Sequence, residues 1–396
     1  MNEHPRRVDV AIAGAGAAGL ALALAIHRDS GGALRVAVID PAPDRMIRPG
    51  RAYAIAGAAR RFLDRIGVWN ALAPQAQPVW RMRITDSRLR DPVRQERLAF
   101  AAADEPLAHI LDESVLLAAL RSAAADLQIR PIAAGVAALH SSAAVIHLDL
   151  SDGGRIGAAL LAAADGARSP SRDLAGIRTV GWDYGQTGLV AEVAHERDHG
   201  GEAVQHFLPD GPFAILPMTD RRSSIVWTDS RANAEVMLAL RADDLAEELD
   251  RRFGAELGSI RLATPLAGFP IRYQVARAFV GDRVALVGDA AHVVHPLAGQ
   301  GLNLGLEDAE ALSARIIEAA RLGLDAGDPQ ALARYERGRR AAAVAMGVTT
   351  DLLNRLFASD ATPIRLARDL GLGVVDRTPG LKDFFMRRAA GHSAMV

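Results

Sequence analysis

The residues 288–305, which read GDAAHVVHPLAGQGLNLG, combine reactive side chains with an open backbone. The segment contains Asp289, His292 and His295 next to Pro296, together with four glycines. A carboxylate accepts hydrogen bonds from hydroxyl groups, and a histidine exchanges protons near neutral pH. Glycine lets a ligand approach backbone N–H groups closely. This composition predicts a ligand-binding or catalytic loop.

The flanking residues predict how such a loop is positioned. Before it, the apolar run 283–287 is typical of a buried strand. After it, residues 306–323 have apolar side chains at helical spacing and acidic residues early, which predicts a helix. The loop then lies between a strand end and a helix start, so that the positive end of the helix dipole points at a bound ligand.

A second glycine-rich turn lies near the N-terminus. An apolar strand is followed by Gly14, Gly16 and Gly19, which have the G-x-G-x-x-G spacing, and then by a helical segment. The first glycine makes the turn, the second lets a pyrophosphate approach the backbone, and the third lets the helix pack against the strand. A second strand, 34–40, ends at Asp40, where a carboxylate can bind a ribose. This pattern predicts a dinucleotide site and fits both NAD and FAD.

The composition excludes several classes of function. The chain has 396 residues, of which 50% are hydrophobic, so it can form more than one core. Its net charge of −1 gives no support for nucleic acid as a partner. Because the sequence has no cysteine, disulfides and thiolate catalysis are excluded. Asp9 and the glycines interrupt the uncharged N-terminal run, so we expect no secretion signal and a cytoplasmic protein, either soluble or peripheral at the inner membrane face.

Two downstream motifs favour FAD over NAD. Residues 165–172, which read DGARSPSR, fit the pattern D-G-x-x-S-x-x-R after an apolar strand. Residues 288–305 fit G-D-A-A-H-x-x-x-P-x-x-G-Q-G-x-N-x-G. Together with the N-terminal turn, these motifs resemble the FAD-dependent aromatic hydroxylases, the class A flavoprotein monooxygenases. The resemblance is specific because three ordered motifs extend from residue 10 to residue 305.

Within that family, the chain is most similar to the hydroxylases of ubiquinone biosynthesis. Residues 51–55 (RAYAI) lie where those enzymes have a D-x-R-x-x-A-L-type segment, and 211–218 (GPFAILPM) is similar to their G-P-x-A-x-L-P-x segment. Residues 224–228 (SIVWT) look like their S-x-V-W strand. One departure is at a helix start, where many members have Asn-Arg and this chain has Glu113 and Ser114. The cofactor contact of that arginine is therefore absent here or supplied elsewhere.

The resemblance assigns roles to individual residues. Asp289 is expected to bind ribityl hydroxyls, Pro296 to face the flavin ring, and 299–301 to bring backbone N–H groups to the flavin pyrimidine. The helix that follows is expected to stabilise negative charge on reduced flavin. The expected cofactor-binding residues are Gly14, Gly16, Gly19, Asp40, Arg51, Asp165, Arg168, Gly288, Asp289, Gly299, Gln300, Gly301 and Asn303. The expected catalytic residues are Pro296, His295 and His292, and no metal site is expected.

Several of these roles have a structural alternative. His292 either takes part in proton transfer or has a structural role within the loop. His295 occupies a variable position of the motif, and the question for this residue is whether it lines the active site. Asp165 either binds the FAD ribose or holds its own segment together. Arg168 belongs to a segment that the family shares between FAD and NAD(P)H, and is otherwise a surface charge. Arg51 either contacts FAD or is also a surface charge.

The resemblance implies an oxygen-inserting reaction. NAD(P)H or another donor reduces FAD, reduced flavin and O2 form a C4a-hydroperoxide, and the distal oxygen attacks an electron-rich aromatic ring. Water must be kept out, since otherwise the hydroperoxide collapses to hydrogen peroxide. The expected substrate is a polyprenyl-phenol intermediate of ubiquinone biosynthesis, which predicts an apolar tunnel. The alternatives are a small soluble aromatic compound, which predicts buried cations, and a non-catalytic flavin-binding scaffold of a biosynthetic complex.

The order of these patterns predicts an α/β fold with two interleaved domains. A Rossmann-type FAD-binding domain of the glutathione-reductase-like kind alternates with an antiparallel-sheet substrate domain, and a helical C-terminus follows. We assign 1–75, 103–180 and 271–345 to the FAD-binding domain, 76–102 and 181–270 to the substrate domain, and 346–396 to the C-terminal helical segment.

Two further features of the sequence leave alternatives open. The aromatic residues Trp182, Phe213 and Trp227 either line the substrate pocket or belong to the core. The C-terminal residues 381–396 mix aromatic with basic side chains. They are expected to form a packed terminal helix or to contact a membrane surface or a biosynthetic partner.

Overall fold

A computed structural model of the chain describes residues 7–46, 50–86, 96–208, 211–296 and 299–358. The C-terminal residues 381–396 lie outside these ranges, so their contact with a membrane or a partner stays a prediction. Within the described ranges, no helix has both the length and the apolar character needed to cross a lipid bilayer.

The first half of the described chain contains short strands and helices. In chain order, the elements are β1 (Arg7–Ala13), α1 (Ala17–Asp29), β2 (Val36–Ile39), β3 (Ala52–Ala56), α2 (Gly57–Arg65), α3 (Trp69–Leu72), β4 (Gln77–Val79), β5 (Arg81–Asp86), β6 (Glu96–Ala101), β7 (Ala108–Asp112), α4 (Glu113–Asp126), β8 (Val136–Ser141), β9 (Ile146–Leu150) and β10 (Arg155–Ala163).

The second half contains the longer strands and ends in two long helices. Its elements are α5 (Pro170–Leu174), β11 (Thr179–His195), β12 (Glu202–Leu208), β13 (Gly211–Met218), β14 (Arg222–Ser230), α6 (Arg231–Ala239), α7 (Ala242–Phe253), β15 (Ile260–Leu262), β16 (Ala267–Ala276), β17 (Val280–Gly281), β18 (Val284–Leu286), β19 (His292–Val293), α8 (Gly301–Arg321) and α9 (Pro329–Ala358). The helix predicted after the glycine-rich loop therefore begins earlier, at Gly301.

A mainly parallel sheet brings the three sequence motifs to one edge. Its central order is β17-β18-β10-β1-β2, and β18, β10, β1 and β2 run parallel. Gly14, Asp165 and Gly288 follow β1, β10 and β18 closely, so all three lie at the carboxyl ends of adjacent strands. Ligands of open α/β sheets bind at this edge. The predicted α/β fold class with a Rossmann-type unit is confirmed.

A second, largely antiparallel sheet carries the remaining long strands. Its order is β19-β16-β11-β14-β13-β12-β5-β6, with β12 and β5 parallel. One face, which we call the outer face, packs against α6 and α7 through Leu189, Phe213, Ile225, Trp227 and Leu249. Phe213 and Trp227 are fully buried there, so they belong to the core and do not line a pocket on the opposite side.

The opposite face of this sheet, which we call the inner face, lies on the side of β3, β4 and β7. A small sheet of order β3-β7-β4 packs on it. The contact is apolar and joins Ala52, Ala54, Val79 and Ile110 of the small sheet to Met82, Ala203, Leu216 and Met218 of the large one. The predicted division into two domains remains our proposal, and the strand β19 joins the two parts because it pairs with β16.

Candidate functional site

The N-terminal glycine turn leaves open space at one glycine and none at the other two. A Cβ atom on Gly14 would lie 2.2 Å from the carbonyl oxygen of Ala164, and one on Gly19 would lie 2.1 Å from that of Gly14. Gly14 also has φ +108°, a conformation that glycine tolerates best. A Cβ atom on Gly16 meets no protein atom within 4 Å. The space beside Gly16 thus fits the pyrophosphate of a dinucleotide.

Asp40 lies beside this turn, as the ribose-binding prediction requires. One of its carboxylate oxygens accepts a hydrogen bond from the backbone N–H of Ala15 at 2.8 Å, and the other accepts one from Ala42 at 2.8 Å. Each carboxylate oxygen has a second lone pair for a ligand hydroxyl. The direct contact of Asp40 with FAD remains a proposal.

The segment that begins at Asp165 is held together by its own hydrogen bonds. Asp165 accepts hydrogen bonds from the hydroxyl of Ser169 and from the backbone N–H of Ser171, the latter at 2.9 Å. These contacts favour the second of the two predicted roles, in which Asp165 holds the segment. Arg168 is exposed and forms no hydrogen bond with a described residue, so its position leaves it open to a second ligand such as NAD(P)H.

Arg172 joins this segment to the loop after β18. Its side chain is buried and donates to the carbonyl oxygens of Ala167 and Ala290, each at 3.2 Å. The sequence pattern included Arg172 as the last position of its motif, without a role. The structure identifies it as a link between two of the three motifs.

The loop after β18 is fixed by Asp308 of α8. Asp308 is fully buried, and its carboxylate accepts hydrogen bonds from Gly288 N–H at 2.9 Å, His292 Nε2 at 2.7 Å and Arg339 Nε at 2.6 Å. Burial alone would raise the pKa of this carboxyl, but the nearby His292 and Arg339 lower it below its usual value. An ionised Asp308 therefore holds the loop to α8 and α9.

His292 faces this carboxylate and is closed off from solvent. Its side chain is 1% exposed, and the ring of Phe279 lies 5.8 Å away. We predicted His292 as one of three catalytic residues, with packing in the loop as the alternative. The geometry favours the alternative, because a ring enclosed by protein and bonded to Asp308 has no open path to a substrate.

Asp289 and Arg51 lie close enough for their charges to interact. Both side chains keep contact with solvent, yet the protein crowds them enough to affect their ionisation. Desolvation raises the pKa of Asp289, although His292 and Arg51 oppose this. Burial works against the charge of Arg51, but Tyr53, Glu113 and Asp289 raise its pKa. Accessible charges with strong desolvation are typical of a cleft that a polar ligand fills.

Glu113, which lies where many family members have Asn-Arg, contacts Tyr53 of β3. Glu113 accepts a hydrogen bond from the hydroxyl of Tyr53 at 3.0 Å, and the guanidinium of Arg51 lies 5.0 Å from the Tyr53 ring. The same guanidinium lies 5.8 Å from the ring of Phe269 on the inner face. Arg51 is thus a cation within electrostatic reach of Glu113, and we propose that it replaces the arginine that many family members have there.

The end of the glycine-rich loop rests on β3. Asn303 is buried and bonds the backbone of β3 on both sides, donating to Ala54 at 2.8 Å and accepting from Ala56 at 3.0 Å. A Cβ atom on Gly301 would meet no protein atom within 4 Å, so space for a ligand remains at the start of α8. Asn303 is therefore a positioning residue for the loop in which Gly299, Gln300 and Gly301 are the proposed flavin contacts.

Pro296 and His295 lie where the loop meets α9 and β11. Pro296 is half-buried, whereas His295 is 0% exposed and its ring lies 5.1 Å from that of Tyr184. Tyr184 in turn donates to Asp351 of α9 at 2.9 Å. Burial lowers the pKa of His295 to about 4, although Asp351 opposes the shift. His295 is therefore neutral at neutral pH, and its catalytic role, like that of Pro296, remains a proposal.

Two buried carboxyl groups meet between β7 and β11. Glu192, on the inner face, lies beside Asp112. Burial raises the pKa of Glu192, and Asp112 adds to this shift whereas Arg222 opposes it. Arg222 donates to the other side of Glu192 at 2.8 Å. Asp112 keeps one buried oxygen with no donor in the described residues. A protonated Glu192 can donate a hydrogen bond to this oxygen.

The comparisons with known proteins agree with the motifs. Residues 7–350 match the family model described as an FAD binding domain. The chain is 44% identical over 346 residues to the ubiquinone hydroxylase UbiL of Rhodospirillum rubrum, covering 86% of this chain and 80% of that protein. It is 34% identical over 352 residues to the 3-demethoxyubiquinol 3-hydroxylase of Escherichia coli, covering 86% and 87%.

Solved structures share the fold at lower sequence identity. The p-nitrophenol 4-monooxygenase PnpA of Pseudomonas putida superimposes with a TM-score of 0.78 at 18% identity, covering 99% of this chain and 100% of that one. PqsL of Pseudomonas aeruginosa, in complex with 2-aminobenzoylacetate, gives a TM-score of 0.76 at 24% identity, covering 89% and 97%. The shared architecture extends over both large sheets.

Proposed function

This chain belongs to the FAD-dependent aromatic hydroxylases, the class A flavoprotein monooxygenases, and we propose that it hydroxylates a polyprenyl-phenol intermediate of ubiquinone biosynthesis. The names of the relatives from Rhodospirillum rubrum and Escherichia coli support the pathway. The reaction inserts one atom of O2 into the aromatic ring, with NAD(P)H as the proposed electron donor.

The apolar inner face of the large sheet is the observation that carries this proposal. Val190, Val226 and Ala214 pair directly with one another across β11, β14 and β13. Val226 and, one row away, Leu216 are half-buried, whereas the apolar side chains of the outer face are sealed beneath α6 and α7. A wall of partly accessible aliphatic side chains opposite β3 suits a polyprenyl-phenol and excludes water.

A small soluble aromatic acid fits this wall less well. Such a substrate needs a cation that is free to bind its carboxylate. On the four central strands β11 to β14, the described inner face carries Arg222 as its cation, and Arg222 is paired with Glu192 at 2.8 Å. Arg51 lies further along the cleft beside Asp289, in the part that we assign to the cofactor. The charge distribution therefore favours a neutral substrate.

The residues of the cleft fit FAD. The open space at Gly16 suits the pyrophosphate, Asp40 the ribose, Asp289 the ribityl chain, and the start of α8 at Gly301 the flavin pyrimidine. Bound and reduced FAD would supply the activation of O2, which no amino-acid side chain provides. The protein's own part is to orient the ring of the substrate, to keep water away with the inner face, and to favour negative charge at the N-terminus of α8.

The first test is the quinone content of a strain in which the gene is deleted. We expect a polyprenyl-phenol short of one oxygen to accumulate, measured by mass spectrometry, and the wild-type gene to remove it. A gene encoding Gly16→Ala should not restore the pathway, because this change fills the cofactor space without touching the protein. An unchanged quinone pool would move the proposal to a small soluble aromatic substrate.

A second test uses the purified protein. With FAD, NAD(P)H and labelled O2, we expect one labelled oxygen atom in the product of geranylphenol and none in 4-hydroxybenzoate. A protein that binds FAD but consumes no additional O2 with either compound would instead be a flavin-binding scaffold. Contact with a biosynthetic complex or a membrane surface remains a separate prediction that neither test requires.

A further inference from the structure

One amide group interrupts the apolar row of the inner face. Gln205 of β12 pairs with Ala214 on one side and with Ile84 on the other, in the row that continues to Val226 and Val190. Directly paired residues of neighbouring strands share a face, and alternate residues point to opposite faces. Val204 belongs to the outer-face core, so Gln205 points into the inner side of the sheet.

The Gln205 side chain has no hydrogen-bond partner among the described residues, although the residue is only 5% exposed. Its neighbour His206 faces the outer side and is bonded to Thr85 Oγ1 at 2.7 Å. The amides of Asn303 and Gln274 also have partners, the carbonyl oxygens of Ala54 and Ala167. Because polar groups inside a protein are normally hydrogen-bonded, an amide without a protein partner on an apolar wall is free to bind a polar group of a ligand.

A second polar group lies close by on the same face. The hydroxyl of Ser224 is buried and also lacks a partner among the described residues. Ser224 pairs with Leu216, one row away from the pair of Ala214 with Val226. On its other side Ser224 pairs with Glu192, which Arg222 holds, so the charged groups of the inner face lie at least one row away from Gln205. The row of Gln205 itself is otherwise aliphatic, and Phe269 lies at the edge of the wall over Gly188.

We propose that Gln205 binds a neutral oxygen substituent of the aromatic substrate and thereby sets which ring position is hydroxylated. This inference rests on the proposed function, since it assumes an aromatic substrate on the inner face. An amide both donates and accepts hydrogen bonds without carrying charge, so it suits a phenol hydroxyl, a methoxy oxygen or a ring carbonyl. A carboxylate would instead require a free cation.

The test compares two probes that differ by one hydroxyl group. Geranylphenol and geranylbenzene are titrated into the FAD-loaded protein, and binding is followed by the change in flavin absorbance. The variant is Gln205→Met, which keeps the length of the side chain and removes its hydrogen bonds. The control is Gln330→Met, the same change at an exposed position in the first turn of α9.

We expect Gln205→Met to bind geranylphenol about tenfold more weakly than wild type, the loss typical of one hydrogen bond, and geranylbenzene equally well. The distribution of hydroxylated ring positions should broaden, and more NAD(P)H should be consumed per product. An FAD content and a midpoint of urea unfolding equal to those of wild type would show that the variant is folded. The control should match wild type in every measurement.

The other possible outcomes separate a failure of the Gln205 inference from a failure of the proposed function. An equal loss for both probes would make Gln205 a packing residue, and no loss for either would leave it without a role in binding. Either result would overturn this inference while the proposed function stands. A wild-type protein that binds neither probe would overturn the proposed function, and the inference with it.

Discussion

Nε2 of His292 lies 2.7 Å from a carboxylate oxygen of Asp308, and protein encloses both side chains. The same carboxylate holds Gly288 and Arg339. Three segments distant in sequence are therefore joined at one buried charge. We therefore propose that His292, which the sequence offered as a catalyst, instead positions the loop that carries Asp289.

Replacing His292 with alanine tests this positioning role. The change removes one partner of a buried carboxylate, so we expect the free energy of unfolding to fall by about 2–4 kcal/mol. The FAD content of the purified protein should fall as well, because the loop carries Asp289. Urea unfolding and flavin absorbance measure both effects, and His147→Ala, at an exposed position, is the control. If the variant is instead stable and loaded with FAD but has an altered pH profile of turnover, His292 takes part in catalysis and the positioning role is wrong.

The glycines of the N-terminal turn should respond differently to the same substitution. Gly16→Ala meets open space in the protein, so we expect unchanged stability without cofactor and a loss of FAD affinity of about 10-fold or more. Gly14→Ala places its Cβ against Ala164 and should destabilise the protein itself. Thermal unfolding with and without added FAD distinguishes the two. Equal stability of the two variants without FAD would contradict this account of the turn.

The buried imidazole of His295 predicts a loss of stability in acid. Its pKa is lowered to about 4, whereas the unfolded chain binds the proton near the ordinary value of about 6.5. Between these values the unfolded state holds more protons, so stability falls as the pH decreases. This group should contribute a loss of about 2 kcal/mol between pH 7 and pH 5. Urea unfolding of wild type and His295→Leu at both pH values measures it.

In the same experiment, the exposed control His147→Leu should keep the full pH dependence of the wild type. If His295→Leu loses as much stability as wild type between the two pH values, another group is responsible. The prediction that burial of His295 beside Tyr184 causes the loss of stability in acid would then be wrong.

The raised pKa of Glu192 predicts the opposite trend. The pKa of Glu192 is raised, so the folded protein keeps a proton that the unfolded chain releases. Stability should therefore decline as the pH rises above the ordinary value of a glutamate, about 4.3. Glu192→Gln keeps a donor towards Asp112 without a titrating proton and should flatten this decline. Glu235→Gln, on the exposed side of α6, serves as the control.

Much of the fold could be predicted because its signals are local. The glycine spacing after β1 and the motif after β18 each specify a strand, a turn and a helix within a few residues. Their meeting at one edge then follows from the parallel order of β18, β10 and β1. The start of α8 was predicted too late because Gly301 and Gly305 weaken the helical pattern, although Gly305 packs closely on Gly288.

The remaining parts of the site depend on contacts that no local pattern encodes. Arg339 reaches Asp308 from another helix, and Asp112 meets Glu192 only because two sheets pack together. The face to which Gln205 points follows from the register of β12 with β13. Likewise, Trp227 and Phe213 could be assigned to the core only once α6, which the sequence did not indicate, covered the outer face.

The strand order of the parallel sheet has a consequence for how the protein is made. β1 leaves the ribosome well before its partners, because its neighbour β10 begins only at Arg155 and the next strand β18 only at Val284. Until Arg339 has emerged, the buried charge of Asp308 is incomplete, and apolar strands stay available to chaperones and proteases. We therefore expect FAD to bind late in biosynthesis, and we expect a chain that ends before α9 not to bind it.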